Sequence, residues 1–288
     1  MRISSLFEQN KTVLSFEVFP PKKTSPIETI YKTLDELQGL RPDFISVTYG
    51  AGGNAGDTAT SDIVSVIKHK YGIEPLAHLT CVNDTREEIE QVLKRLEQSG
   101  TRNILALRGD LNPNIPPKNQ FCYASELVEF IRRRGGFYIS GACYPEGHIN
   151  AANMEEDIRN LKKKVDAGVE HLISQLFFDN THFYSFLVLA RKAGIKVPIE
   201  AGIMPVTNKA QIERMVTLCG ASLPSKFTKM MQRFEHSPEA LRDAGIAYAV
   251  DQIVDLISQG VEGIHLYTMN NPYIARKISE SISGLITA

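Results

Sequence analysis

Tryptophan is missing altogether, and cysteine is scarce, with Cys81, Cys122, Cys143 and Cys219 the four in the chain. They stand far apart, form no CxxC pair and offer no zinc spacing, which excludes a disulfide-stapled mini-domain and a zinc-ribbon site. Reduced, mostly buried thiols in a cytoplasmic protein are the expectation, two of them at or near predicted strand ends. No stretch approaches the ~18 consecutive apolar residues of a membrane-spanning helix. The opening MRISSLFEQNK lacks an apolar h-region, so no signal peptide is visible. An excess of either charge is absent too. The 32 basic and 33 acidic residues leave a net charge of −1, which gives no general attraction to nucleic acid or anionic lipid. The basic run 132–134 is short and reads as a solvated helix end. Three site signatures are also lacking. The loop Gly50-Ala51-Gly52-Gly53 misses the GxGxxG spacing, no GxSxG elbow occurs, and the histidines form no standard metal spacing. No metal is expected.

What the chain has is a repeat. Short apolar runs at 13–20, 44–49, 75–82, 103–110, 138–144, 171–178, 197–203 and 263–268 read as buried strands. Helical spacing follows each of them, at 27–40, 58–71, from 83–84 to 99, 123–134, 154–167, 179–193, after strand seven, and from 272. Gly100, Gly135, Gly168 and Gly194 stand where four of these helices should stop, and Asn83-Asp84 offers a cap to the third. The first six units recur at roughly thirty residues, the period of a βα unit. Eight such units predict one TIM (β/α)8 barrel over 1–288. The longer interval between strands seven and eight predicts extra helices at 210–218 and 238–258, with the irregular GASLPSKF between them. A doubly wound open sheet is the alternative fold.

In a parallel barrel the chemistry lies at the C-terminal ends of the strands, and polar residues gather there. Glu17 stands in the otherwise apolar run VLSFEVFP. Alternation puts Ser15, Glu17 and Phe19 on the inner face and Leu14, Phe16 and Val18 on the outer one. A carboxyl there needs either a partner, with Arg108 the candidate, or a proton-transfer role. Thr48 and Tyr49 close strand two, and His78 and Thr80 share a face of strand three. Arg108, Gly109 and Asp110 end strand four, and Tyr144 and His148 follow strand five. Gln175, Glu200, His265 and Tyr267 lie in the last three strands, so the barrel would gather all these groups at one rim. His171, at the start of its strand, reads as structural. Asp157, Asn160 and Lys164 share one helical face, with Lys163 on its edge. That face is either solvated surface or a site in which Lys164 reaches a phosphate.

The ordered stretches FEVFPPK (16–22), SVTYGAGG (46–53), HLTC (78–81), LALRGD (105–110), YPEGH (144–148), QLFF (175–178), GIMP (202–205) and HLYTMN (265–270) resemble the compact bacterial 5,10-methylenetetrahydrofolate reductase family over essentially the whole chain. The resemblance implies a barrel carrying non-covalent FAD. It implies ping-pong reduction of 5,10-methylenetetrahydrofolate to 5-methyltetrahydrofolate with NADH or NADPH, usually NADH. Position by position, Glu17 matches the acid that protonates folate N10. Asp110 matches the aspartate beside flavin and pterin, and Gln175 a contact to both substrates. Thr48, His78, Arg108, Gly109, Asp110, Tyr123, Ala124, Tyr144, His148, Asp157, Asn160 and Lys164 match the FAD lining, and Tyr267 matches the folate end. Two positions depart from the family pattern. Asn271 stands where arginine is frequent, and Met215 stands where an aromatic usually stacks on substrate, a platform methionine can still supply. Self-association into a homo-oligomer is expected by resemblance. A flavin-free barrel that binds pterins or transfers methyl groups is the alternative activity, and a non-catalytic barrel is the third reading.

Overall fold

The computed structural model describes residues 1–9, 11–22, 24–49, 58–111, 116–208, 212, 216, 217 and 219–287. Eight parallel strands pair in chain order: β1 Val13–Val18, β2 Phe44–Val47, β3 Glu74–Thr80, β4 Asn103–Leu107, β5 Tyr138–Cys143, β6 His171–Ser174, β7 Ile199–Ile203 and β8 Gly263–Tyr267. The sheet closes where β1 pairs with β8, with Ser15 opposite His265. An open doubly wound sheet would leave two unpaired edges, and here there are none, so that alternative is overturned.

Helices α1 Glu28–Leu37, α2 Ala59–Tyr71, α3 Arg86–Gln98, α4 Ala124–Arg134, α5 Met154–Ala167 and α6 Asn180–Lys192 follow the first six strands. Their apolar stripes meet the outer strand face: Leu14, Phe16 and Val18 pack in one core with Ile30, Leu34 and Leu37 of α1. Each such buried side chain stabilises the fold by about 1.5–3 kcal/mol. Inside the barrel the floor is apolar. Val13, Phe44, Leu76, Leu105 and Ile173 pack on Ile3 and Leu6 of a short 3-10 helix, Ile3–Glu8.

Three local expectations change. The cap of α3 is Thr85, whose hydroxyl accepts from Glu88 N while the Glu88 carboxylate accepts from Thr85 N. Residues Asn83 and Asp84 precede it. Strand four ends at Leu107, so Arg108, Gly109 and Asp110 lie beyond its last pair. The stretch read as irregular contains the start of a helix, α7 Ser225–Phe234, ahead of α8 Pro238–Ser258. The helix predicted over 210–218 falls largely outside the described residues, although 212, 216, 217 and 219 are helical. This insertion has a core of its own, in which Leu176 and Phe178 beyond β6 and Met204 and Val206 beyond β7 pack on Ile212, Phe227 and Met231. It roofs the β6–β8 side of the mouth. A last helix, α9 Pro272–Ile286, returns to the outer layer.

Candidate active site

Glu17 is the last inward position of β1, with Ser46 and Tyr267 as its Cα partners on the flanking strands. Its Oε2 lies 3.6 Å from His78 Nε2 and 3.7 Å from His265 Nε2. The carboxyl is therefore held between two imidazoles. Arg108, the partner suggested by sequence, turns elsewhere: its Nε points to the Gly109 carbonyl at 3.4 Å. Burial pulls His78 down to about 4, the field of Glu17 opposes that shift, and His265 adds to it. His78 is thus neutral at physiological pH.

Tyr267 places its hydroxyl on the Ser174 carbonyl at 2.8 Å. Its phenol is raised well above the ordinary value by burial first, then by Glu17, Cys219, Cys143 and Tyr144. Tyr144 is raised by burial, then by Asp157, Cys143 and Asp110. Burial and then Asp110 push Cys219 up to about 11. The field of Glu17 thus acts on Tyr267, and that of Asp110 on Tyr144 and Cys219. Asp110 itself is exposed. Ahead of it Gly109 has φ +88, and a Cβ there would meet Thr80 Cβ at 2.9 Å, so the turn that presents Asp110 requires glycine. Gln175 donates its backbone N–H to the Cys143 carbonyl at 2.7 Å, and its side-chain Oε1 accepts from Leu176 N at 2.9 Å. Thr48, just past β2, is half-buried and accepts through its carbonyl from the Thr60 hydroxyl.

Beside this mouth a cleft of about 440 Å³ opens between the ends of β4 and β5 and the helices α4 and α5. Arg108, Tyr123, Ala124, Tyr144, His148, Asp157, Asn160 and Lys164 all line it, so eight of the residues expected to hold a cofactor converge. Lys163 is there too. Helix α4 enters it from Tyr123 without a side-chain cap; the Glu126 N–H turns back to the Tyr123 carbonyl at 3.1 Å, so the Ala124 and Ser125 N–H groups are the ones no side chain caps. Lys164 donates to the Ala142 carbonyl, and burial lowers its ammonium below the usual range. Asp157 is buried and raised by that burial, while His148 is lowered by it. The charged forms of Lys164, Asp157 and His148 are disfavoured by poor solvation, which a ligand of opposite charge would relieve. Thr48, just past β2, and His78, on β3, stand on the Glu17 side of the mouth and do not line this cleft. Only an elongated ligand would touch both sets. A larger open groove, about 690 Å³, is lined by Arg191, Ile199 and Glu262 near the starts of β7 and β8, away from the chemistry-bearing end.

Two groups assigned to the rim lie deeper. Glu200 and His265 are wholly buried in the barrel interior, and Glu200 is level with Gly263, the first residue of β8. His171 is buried with them, as its position at the strand start suggested. Met215 lies outside the described residues, as does the Gly50–Gly53 loop. Asn271 acts locally, as the N-cap of α9, where its Oδ1 accepts from Ile274 N at 3.3 Å. Sequence reasoning missed Cys143, Ser125 and Glu156 in the cleft wall. Ser125 was findable, since it opens the first turn of a helix whose start the family likeness places at the site.

A family model described as methylenetetrahydrofolate reductase matches residues 2–283. The chain belongs to the methylenetetrahydrofolate reductase family. It is 36% identical over 274 residues to 5,10-methylenetetrahydrofolate reductase of Pectobacterium carotovorum subsp. carotovorum, an alignment covering 95% of this chain and 91% of that protein. It is also 36% identical to methylenetetrahydrofolate reductase (NADH) 1 of Arabidopsis thaliana, where 93% of this chain matches 48% of the longer plant protein. Among solved structures, an uncharacterised Clostridium thermocellum protein that binds two copies of 5-methyl-5,6,7,8-tetrahydrofolic acid shares the fold at TM-score 0.68 and 13% identity, over the full length of both chains. Among the described residues, the stretches that carry the methylenetetrahydrofolate reductase family's likeness lie at or just beyond the strand C-termini.

Proposed function

We propose that this member of the family is a flavin-dependent reductase. It binds FAD non-covalently and reduces 5,10-methylenetetrahydrofolate to 5-methyltetrahydrofolate with NADH or NADPH, NADH being the expected reductant, in a ping-pong sequence. The observation that carries this reading is the Glu17 carboxyl between two imidazoles at the barrel mouth, beside a cleft lined by Arg108, Lys163 and Lys164. The cleft falls in the usual range for small-molecule sites, about 300–1,000 Å³.

The described residues fit the cofactor. The open N–H groups at the start of α4, Arg108 and Lys164 would hold the phosphates, and Asp157 and Asn160 would take sugar hydroxyls. Thr48 and His78 would flank the ring end. Bound FAD would supply the hydride, with the protein placing and polarising it. Glu17 would hold a proton at its carboxyl and give it to folate N10, so that the five-membered ring opens. Asp110 would accept from the pterin amino group and favour the cationic form of the opened substrate. Its charge beside the flavin would disfavour extra negative charge there. Gln175 would contact both substrates in turn, and Tyr267 would wall the folate end.

The test is an anaerobic titration with NADH, then NADPH, followed by methylenetetrahydrofolate. The protein is expected to be yellow, to bleach with the first and to recover colour with the last. A protein that stays colourless and cannot be reconstituted with FAD contradicts the reading and favours the flavin-free pterin barrel.

A further inference from the structure

Below Glu17 the barrel interior holds Ser15, Glu200, His265 and His171, none more than 1% exposed, and the mechanism above gives none of them a step. Ser15 Oγ lies 2.9 Å from Glu200 Oε1 and 2.6 Å from His265 Nδ1. A carboxylate oxygen only accepts, so the hydroxyl hydrogen of Ser15 goes to Glu200. The serine oxygen then receives a hydrogen from the ring, which puts the hydrogen of neutral His265 on Nδ1. Its Nε2 is left as an acceptor, which takes the Ser46 hydroxyl hydrogen at 3.4 Å and faces Glu17 Oε2 at 3.7 Å.

The fold makes room for this arrangement. A Cβ on Gly263 would come within 2.7 Å of Glu200 Cγ and 3.0 Å of its Oε1. The second oxygen of Glu200 lies 3.0 Å from His171 Nε2, although the ring N–H is not aligned on it. His171 Nδ1 is held by Ser140 Oγ at 3.0 Å. His265 is stacked on Phe44 and meets Tyr267 edge-on, so the ring has little freedom to flip.

We propose that Ser15 and Glu200 are positioning residues that fix His265 as its Nδ1–H tautomer and thereby keep the proton on Glu17. The proposal rests on the reductase reading for its consequence, but not for its geometry. A neutral imidazole showing a lone pair can accept from a carboxylic acid and cannot donate to a carboxylate, so it favours the acid form of Glu17. The other groups facing Glu17 are Ser46 on β2, neutral His78 on β3 and Tyr267 on β8. The Tyr267 hydrogen is directed to the Ser174 carbonyl. Glu200 matters because it accepts only. An amide in its place could donate to Ser15 and reverse the direction of the chain.

The test pairs two readouts on the full-length protein and on the Ser15→Ala and Glu200→Gln variants. In 15N–1H spectra of histidine-labelled protein, with His265 assigned by difference against His265→Gln, the unaltered chain should show hydrogen on Nδ1. Both variants should move it to Nε2. Hydrogen on Nε2 in the unaltered protein overturns the proposal, whatever the protein does with flavin. In the second readout, flavin bleaching by NADH should keep its rate in both variants. The alkaline fall-off of the methylenetetrahydrofolate half-reaction should move to lower pH by roughly one unit, a tenfold loss above the limb. An unmoved limb with a uniformly slower rate means a merely structural role and overturns the proposal. If one variant fails to fold, the other carries the same two readouts. Absence of flavin from the unaltered protein would defeat the reductase reading and leave the tautomer result to judge the geometry alone.

Discussion

His78 carries the clearest pH consequence at the scale of one residue. Its ordinary value of 6.5 falls to about 4 in the folded barrel. The unfolded chain therefore takes up that proton first as the solution is acidified. The stability this neutral ring contributes is complete above 6.5 and is lost as pH falls from 6.5 toward about 4, by roughly 3 kcal/mol in total. Urea unfolding at pH 7.5 and pH 5 should show the decline, and His78→Gln should flatten it. Asp110→Asn should keep the flavin bound and slow the folate half-reaction, by roughly 10–100-fold if one charge-assisted contact is lost. Rapid-mixing reoxidation of the reduced protein measures it. Glu17 was legible because a carboxylate in VLSFEVFP has nowhere cheap to go. Its partners were not. His78 and His265 reach it only because the sheet closes, and alternation within one strand says nothing about what stands across a barrel.

Among the elements, the insertion between β7 and β8 is the most tightly specified. Gly245 of α8 presses on the segment after β7, where a Cβ would come within 1.7 Å of the Val206 carbonyl oxygen. Gly245→Ala must push helix and segment apart. A cost of about 1–3 kcal/mol or more should lower the melting temperature by several degrees, read by calorimetry. Asn271→Ala should cost about 1 kcal/mol through loss of the α9 cap, seen as a lower urea midpoint. The departure from arginine at this position thus has a local explanation in the helix start. Helix stops were readable because glycines mark them, as at Gly135 after α4 and Gly168 after α5. Helix α7 was not read, since Gly220 and Pro224 dominate GASLPSKF. Yet Phe227 and Met231, one helical turn apart, are the residues it buries.

For the whole molecule, the period of the chain gave the barrel, and the barrel explains why the site is where it is. Arg108 belongs to the fourth βα unit and Tyr144 and Lys164 to the fifth, and they meet in one cleft because parallel strands bring their C-terminal ends to one face. The buried Ser15–Glu200–His265 set had no sequence signature, since its members come from three different strands, β1, β7 and β8. On the proposed reaction, Glu17 serves the folate half and not the flavin half. The most direct measurement is anaerobic rapid mixing of Glu17→Gln, first with NADH and then with methylenetetrahydrofolate. Bleaching is expected at the rate of the unaltered protein, with reoxidation slowed at least ~100-fold by loss of the proton donor. Equal slowing of both steps, or reoxidation at the normal rate, would contradict it.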